Sequence, residues 1–149
     1  MDNAVRVRIN QFVRAPIQRV YGAYIDPTLM PKWTGLRKIT AVSGPLDRPG
    51  TTFTGVVFGP HRPRLEVLAA EPPLLHDMGG RVLRAFGWRW TARFAEMDGG
   101  TQITIDTEVT FPAGLIGGWV RRSQEVGRME PDMRQRLEEF AKLVEAGEK

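Results

Sequence analysis

Alternation of apolar and polar residues opens the chain. Over Ala4–Val13, Val5, Val7, Ile9 and Val13 share one face with Gln11, while Arg6, Arg8, Asn10 and Phe12 take the other, which predicts a strand with one mostly apolar side. The period changes at Ala15-Pro16. Ile17, Val20, Tyr21, Tyr24 and Ile25 then fall at helical spacing. Proline is tolerated in the first helical turn, and Asp26-Pro27 ends the helix because a residue before proline is pushed out of the α region. A second, short helix is expected over Thr28–Trp33, ending near Gly35. From there to Phe111 the chain reads as strands: Arg37–Ser43, Thr51–Phe58, Arg64–Ala70, Leu74–Met78, Phe86–Met97 and Gln102–Phe111. Gly79-Gly80 suggests a bulge or a sharp change of direction, and Asp98-Gly99-Gly100 a hairpin turn. Along the last two strands, Phe86, Trp88, Trp90, Ala92 and Phe94 share a face, as do Ile103, Ile105, Thr107, Val109 and Phe111.

The C-terminal run returns to helical spacing. Met133, Leu137, Phe140, Ala141 and Val144 form one stripe. Pro131 removes a backbone donor, and Gly117, Gly118 and Gly127 weaken continuity. A first segment over 115–124, a bend near 125–131 and a main helix over 130–146 are therefore expected, with the joint as a candidate cavity mouth. Strands grouped apart from helices predict an α+β domain with an antiparallel sheet. Its apolar face would pack against the C-terminal helix while its polar face stays wet. One domain, 1–149, is the expectation from length.

Composition changes this picture little. The net charge is +4 with 21 basic residues and a pI near 10.0, but the basic residues are dispersed, so nucleic acid is not the expected partner. There are no cysteines, which removes disulfides, thiolate metal sites and a cysteine nucleophile. No apolar run reaches the length of a membrane span, and no stretch resembles a signal peptide, so a cytoplasmic protein is expected. His61 and His76 are the only histidines, too few for a metal site, and no cofactor is expected. Phosphate-binding glycine motifs are absent. The two serines, Ser43 and Ser123, lie in no nucleophile elbow.

The candidate chemistry is that of an apolar pocket. Trp33, Trp88, Trp90 and Trp119 offer wide flat surfaces that suit aromatic or polycyclic ligands; filling the core is the other reading. Met129 and Met133 lie four residues apart on the C-terminal helix, and with Met78 they could line a cavity or simply pack. Phe53 and Val67 belong to the same inward set. Gln11, on an apolar face, must find a partner, either a ligand or neighbouring backbone. Thr107 is the other polar residue on an inward face. Candidate proton-transfer groups are His76, Tyr24 and Arg64, although alternation sends Arg64 outward. Asp106 and Glu108 also point outward, where Arg89 and Arg93 are expected to offset them.

Several stretches resemble the START-like, or Bet v 1-like, superfamily, whose bacterial members are often called polyketide cyclase/dehydratase or SRPBCC proteins. They are Val13–Tyr21 at the strand-to-helix transition, Asp26-Pro27 with Pro31-Lys32-Trp33, Gly50–Phe53, Val67–Pro72 and Asp98–Thr104. The resemblance covers essentially the whole chain. It implies a helix-grip fold: a curved antiparallel seven-stranded sheet wrapped around a long C-terminal helix, two short helices between strands 1 and 2, and an apolar cavity between sheet and helix. It further implies binding of a small hydrophobic ligand, lipid-like or aromatic, with a polyketide cyclase/aromatase-type enzyme as the alternative use of that cavity.

Overall fold

The computed structural model describes residues 4–56, 62–82, 86–110 and 116–147, with the side chains of 81, 82, 86 and 116–129 excepted. Strand β1 (Ala4–Val13) leads into α1 (Ile17–Tyr24) and α2 (Met30–Trp33). The strands β2 (Lys38–Thr40), β3 (Thr52–Val56), β4 (Arg64–Glu71), β5 (Leu75–Val82), β6 (Phe86–Met97) and β7 (Gly100–Thr110) follow, then α3 (Ile116–Ala146). All neighbours are antiparallel, in the order β1-β7-β6-β5-β4-β3-β2. This is the helix-grip architecture that the sequence resemblance implied.

Local chemistry explains most of the boundaries. Pro16 is the N-cap of α1 rather than its first residue, and its carbonyl accepts from the N–H groups of Arg19 and Val20. Asp98 and Gly99 both have positive φ, the geometry of a tight primed hairpin turn between β6 and β7. Strand β2 is shorter than the expected 37–43 because Ala41 sits at φ 55°, outside the extended region. Gly79-Gly80 do not break β5. The bulge lies in β4 instead, between Val67 and Ala69, where β4 faces Met78 and Asp77. A Cβ at Gly79 would come within 2.7 Å of the Trp88 carbonyl oxygen, and one at Gly80 within 2.6 Å of that of Arg64. The two glycines therefore let the flanking strands approach where a side chain would push them apart.

The expected break in the C-terminal helix is not found. Residues 116–146 form one helix with Pro131 inside it. The proline ring faces the carbonyl of the residue four positions back, and that residue is Gly127, whose backbone adjusts at the least steric cost. Leu137, Phe140, Ala141 and Val144 are buried from α3. The far end of α3 is tied to the start of the chain: Glu145 accepts from the Arg14 N–H at 2.9 Å, and Arg19 donates to the Val144 carbonyl at 2.9 Å.

The outer face of the sheet carries charge pairs. Arg6 donates to Glu108 at 2.8 Å, Arg8 to Asp106 at 2.6 Å and Arg93 to Asp106 at 3.3 Å. Arg93 therefore offsets one of the two outward carboxylates. Arg89 stands opposite Glu108 in the strand register, but its hydrogen bonds go elsewhere. It donates through Nε and Nη2 to Asp77, the one buried carboxylate among the described residues.

Candidate ligand pocket

A pocket of about 260 Å³ lies between the concave face of the sheet and α3. Alternation builds its sheet wall. Met78 on β5 pairs with Trp90 on β6, and Trp90 with Thr107 on β7, so the three stand in one cross-strand row. Trp88 pairs with Val109 in the next row. The Trp88 and Trp90 rings lie nearly parallel, 10° apart in plane with centroids at 6.4 Å. Ile105 completes this wall, and Met133 and Leu137 approach from α3.

Aromatic rings close one side. Trp33 on α2 packs on Tyr24 of α1 at 5.2 Å and on Phe140 of α3 at 4.8 Å. Tyr24 in turn meets Phe94 at 5.4 Å and His76 at 5.6 Å. Among the described residues, the region beyond Tyr24 is thus filled by the protein's own side chains, and the open space lies on the Trp88–Trp90 side. At the pocket's edge Arg136 donates to Asp132 at 3.0 Å and its guanidinium lies against Gly35. Gly35 has φ 88°, so a side chain there would be both strained and in collision with Arg136.

Seven of the residues named from sequence line this space: Tyr24, Trp33, Met78, Trp88, Trp90, Thr107 and Met133. Phe53 and Val67 are buried in the filled part of the core instead. Gln11 is half-buried and its Nε2 donates to the Phe12 carbonyl at 3.0 Å, so it serves local backbone. Arg64 is exposed and reaches Thr52 Oγ1 at 3.4 Å, on the outward side that alternation gives it. The side chains of Trp119 and Met129, and all of His61, lie outside the described residues. Sequence reading missed Thr34, Gly35 and Leu36 in the α2–β2 loop and Asp132 and Arg136 on α3. Only the last two carried a signal, because they flank Met133 on the same edge of the helix.

His76 is fully buried and does not line the pocket. Its Nε2 is 2.7 Å from the Leu46 carbonyl oxygen, so Nε2 carries the proton and the ring ties β5 to the loop before β3. Burial lowers its pKa from the ordinary 6.5 against smaller opposing effects of the Leu46 hydrogen bond, Asp77 and Asp47. The unfolded chain therefore takes up a proton that the folded chain refuses. Stability contributed this way is present above pH ~6.5 and is lost as pH falls towards the folded value, at up to ~1.4 kcal/mol per pH unit. Urea unfolding at pH 7 and pH 5.5 should show a smaller loss in His76→Gln than in the wild type; equal losses would assign the acid sensitivity elsewhere. Burial, and secondarily the negative charge of Asp77, pushes the Tyr24 phenol well above its usual range. Tyr21 is pushed up to about 12, mainly by burial and secondarily by Asp47, and it donates to the Leu75 carbonyl at 3.2 Å. Both phenols stay neutral near pH 7.

Residues 4–145 match the family model for polyketide cyclase/dehydrase and lipid transport. The chain belongs to that family. Members of this fold recur among solved structures. The TTHA0849 protein of Thermus thermophilus superposes with a TM-score of 0.74 at 20% identity, over 97% of this chain and 100% of that one. Ara h 8.0201 superposes with a TM-score of 0.67 at 11% identity, covering 95% and 97% of the two chains. DynU16, described as a putative protein in the dynemicin biosynthetic locus, superposes at 0.68 with 20% identity over 99% of this chain and 49% of its own. At these identities the likeness is one of fold. No curated protein sequence matches this chain. Family and fold together are consistent with hydrophobic-ligand binding or with polyketide cyclase-type activity. Among the described residues, no helix of this family member is long and apolar enough to cross a membrane.

Proposed function

We propose that this polyketide cyclase/dehydrase and lipid transport family protein binds one compact hydrophobic ligand in the pocket between β5–β7 and α3. The observation that carries this reading is the pocket itself: about 260 Å³ lined mainly by indole rings and aliphatic side chains. A cavity of ~150 Å³ with apolar walls holds a benzene molecule, so this one suits about one or two fused rings and is small for a long acyl chain. The aromatic plug of Tyr24, Trp33 and Phe140 supports the same limit, because it occupies the space a longer ligand would need.

Among the described residues, binding is favoured over proton-transfer chemistry by where the three candidate groups stand. General acid–base catalysis needs a group with a pKa near the working pH within hydrogen-bond reach of the substrate. His76 lies beyond the plug and Arg64 on the opposite face of the sheet. Tyr24, the remaining candidate at the pocket, is held in its phenol form. The test is calorimetric titration with naphthalene. The wild type should bind it, and Met133→Trp, which enlarges a half-buried side chain at the pocket wall, should weaken binding at least about tenfold, equivalent to ~1.4 kcal/mol, while the melting curve stays cooperative. Equal affinity in the two proteins would remove the pocket as the binding site.

A further inference from the structure

Among the described residues, two polar atoms of the pocket lining have no protein partner. Trp33 Nε1 and Thr107 Oγ1 are both fully buried and unpaired, in residues only 7% and 3% exposed, and both residues line the pocket. Buried polar atoms are paired in the great majority of cases, so each exception asks for a partner from outside the chain. The indole N–H can only donate, and the threonine hydroxyl can donate or accept. His76 Nδ1 is unpaired as well, but its ring packs on Tyr21 and Tyr24 away from the pocket lining. The charged groups lining the pocket, Asp132 and Arg136, pair with each other at its edge. Among the described residues, the interior therefore offers hydrogen bonds without a net charge.

From this we infer that the ligand is a one- or two-ring molecule bearing a neutral, hydrogen-bond-accepting oxygen, a carbonyl or hydroxyl, which receives the protons of Trp33 Nε1 and Thr107 Oγ1. The inference rests on the pocket being a ligand site and adds the chemical group the site reads. A neutral oxygen suits it better than a carboxylate, since moving an anion into an apolar pocket is unfavourable when Arg136, the one cation lining it among the described residues, is already paired.

The test compares 1-tetralone with its hydrocarbon counterpart tetralin in the wild type, Thr107→Val and Trp33→Phe, by calorimetry. The ratio of the two affinities cancels differences in ring burial. It should fall about tenfold in Thr107→Val, the loss expected for one hydrogen bond of ~1–1.5 kcal/mol, and fall independently in Trp33→Phe. Valine is close in shape to threonine, so the empty Thr107→Val protein should melt no lower than the wild type. A ratio unchanged in both variants would overturn the inference and assign the two atoms to bound water. Tighter binding of 2-naphthoate than of naphthalene would overturn the neutral-oxygen assignment in favour of an anion held by Arg136. If neither tetralone nor tetralin binds the wild type, the pocket reading fails along with it.

Discussion

Phe140→Ala should lower stability by about 3–5 kcal/mol and at the same time deepen the pocket. Phe140 has no exposed surface and is the point where α3 meets the rings of Trp33 and Tyr24. Truncating a buried phenylalanine removes its transfer free energy and leaves a cavity that the surroundings only partly fill. Both ring neighbours line the pocket, so the vacated volume adjoins the existing space. Urea unfolding should report the stability loss. Titration with anthracene should report a gain in affinity over the wild type, measured at a temperature where the variant is folded. A variant that loses stability without gaining room for the larger ring would mean that Trp33 and Tyr24 collapse into the hole, and that the plug is not what limits ligand size.

Arg89→Met should cost about 2–3 kcal/mol, several times more than Arg93→Met. Asp77 is 4% exposed and accepts from Arg89 Nε at 3.1 Å, Arg89 Nη2 at 2.6 Å and the Thr91 hydroxyl at 3.1 Å. Removing one partner of a buried pair leaves an uncompensated charge, at ~3–5 kcal/mol when both members are buried. Arg89 itself is more than half exposed, which justifies the lower figure. Arg93 reaches the more exposed Asp106 at 3.3 Å, and Arg8 still holds that carboxylate, so its loss should stay within about 0–1 kcal/mol. The difference between the two midpoints in urea is the measurement. Equal shifts would show that burial of Asp77 contributes nothing beyond a surface ion pair. Adding Asp77→Asn to Arg89→Met should recover part of the loss, because the buried charge is then gone.

The sheet wall of the pocket was legible in the sequence because strand alternation is a strong constraint. Trp88, Trp90 and Thr107 follow from a period of two, and Met133 follows from the helical stripe that also places Leu137 and Phe140. Legibility ended where tertiary packing decides. Phe53, Val67 and His76 point inward as alternation requires, yet they lie in the plugged part of the core. A strand pattern gives the face of a residue and not its position along the groove. Gln11 illustrates a related limit, since its apolar register could not reveal that the Phe12 carbonyl was within reach. Gly35 and Arg136 depend on a positive φ in a loop and on a contact between segments about a hundred residues apart in sequence. Pro131 misled because its intrinsic helix penalty is local, whereas α3 is also held by the buried row from Leu137 to Val144 and by the Glu145 and Val144 links to Arg14 and Arg19.

A single calorimetric series on the wild-type protein tests the size limit of the pocket. The ligands are benzene, naphthalene, pyrene and palmitate. A pocket of about 260 Å³ closed by Tyr24, Trp33 and Phe140 predicts that affinity rises from benzene to naphthalene and then falls for pyrene and for palmitate. Affinity that keeps rising through pyrene, or tight binding of palmitate, would contradict a plugged pocket built for one or two rings.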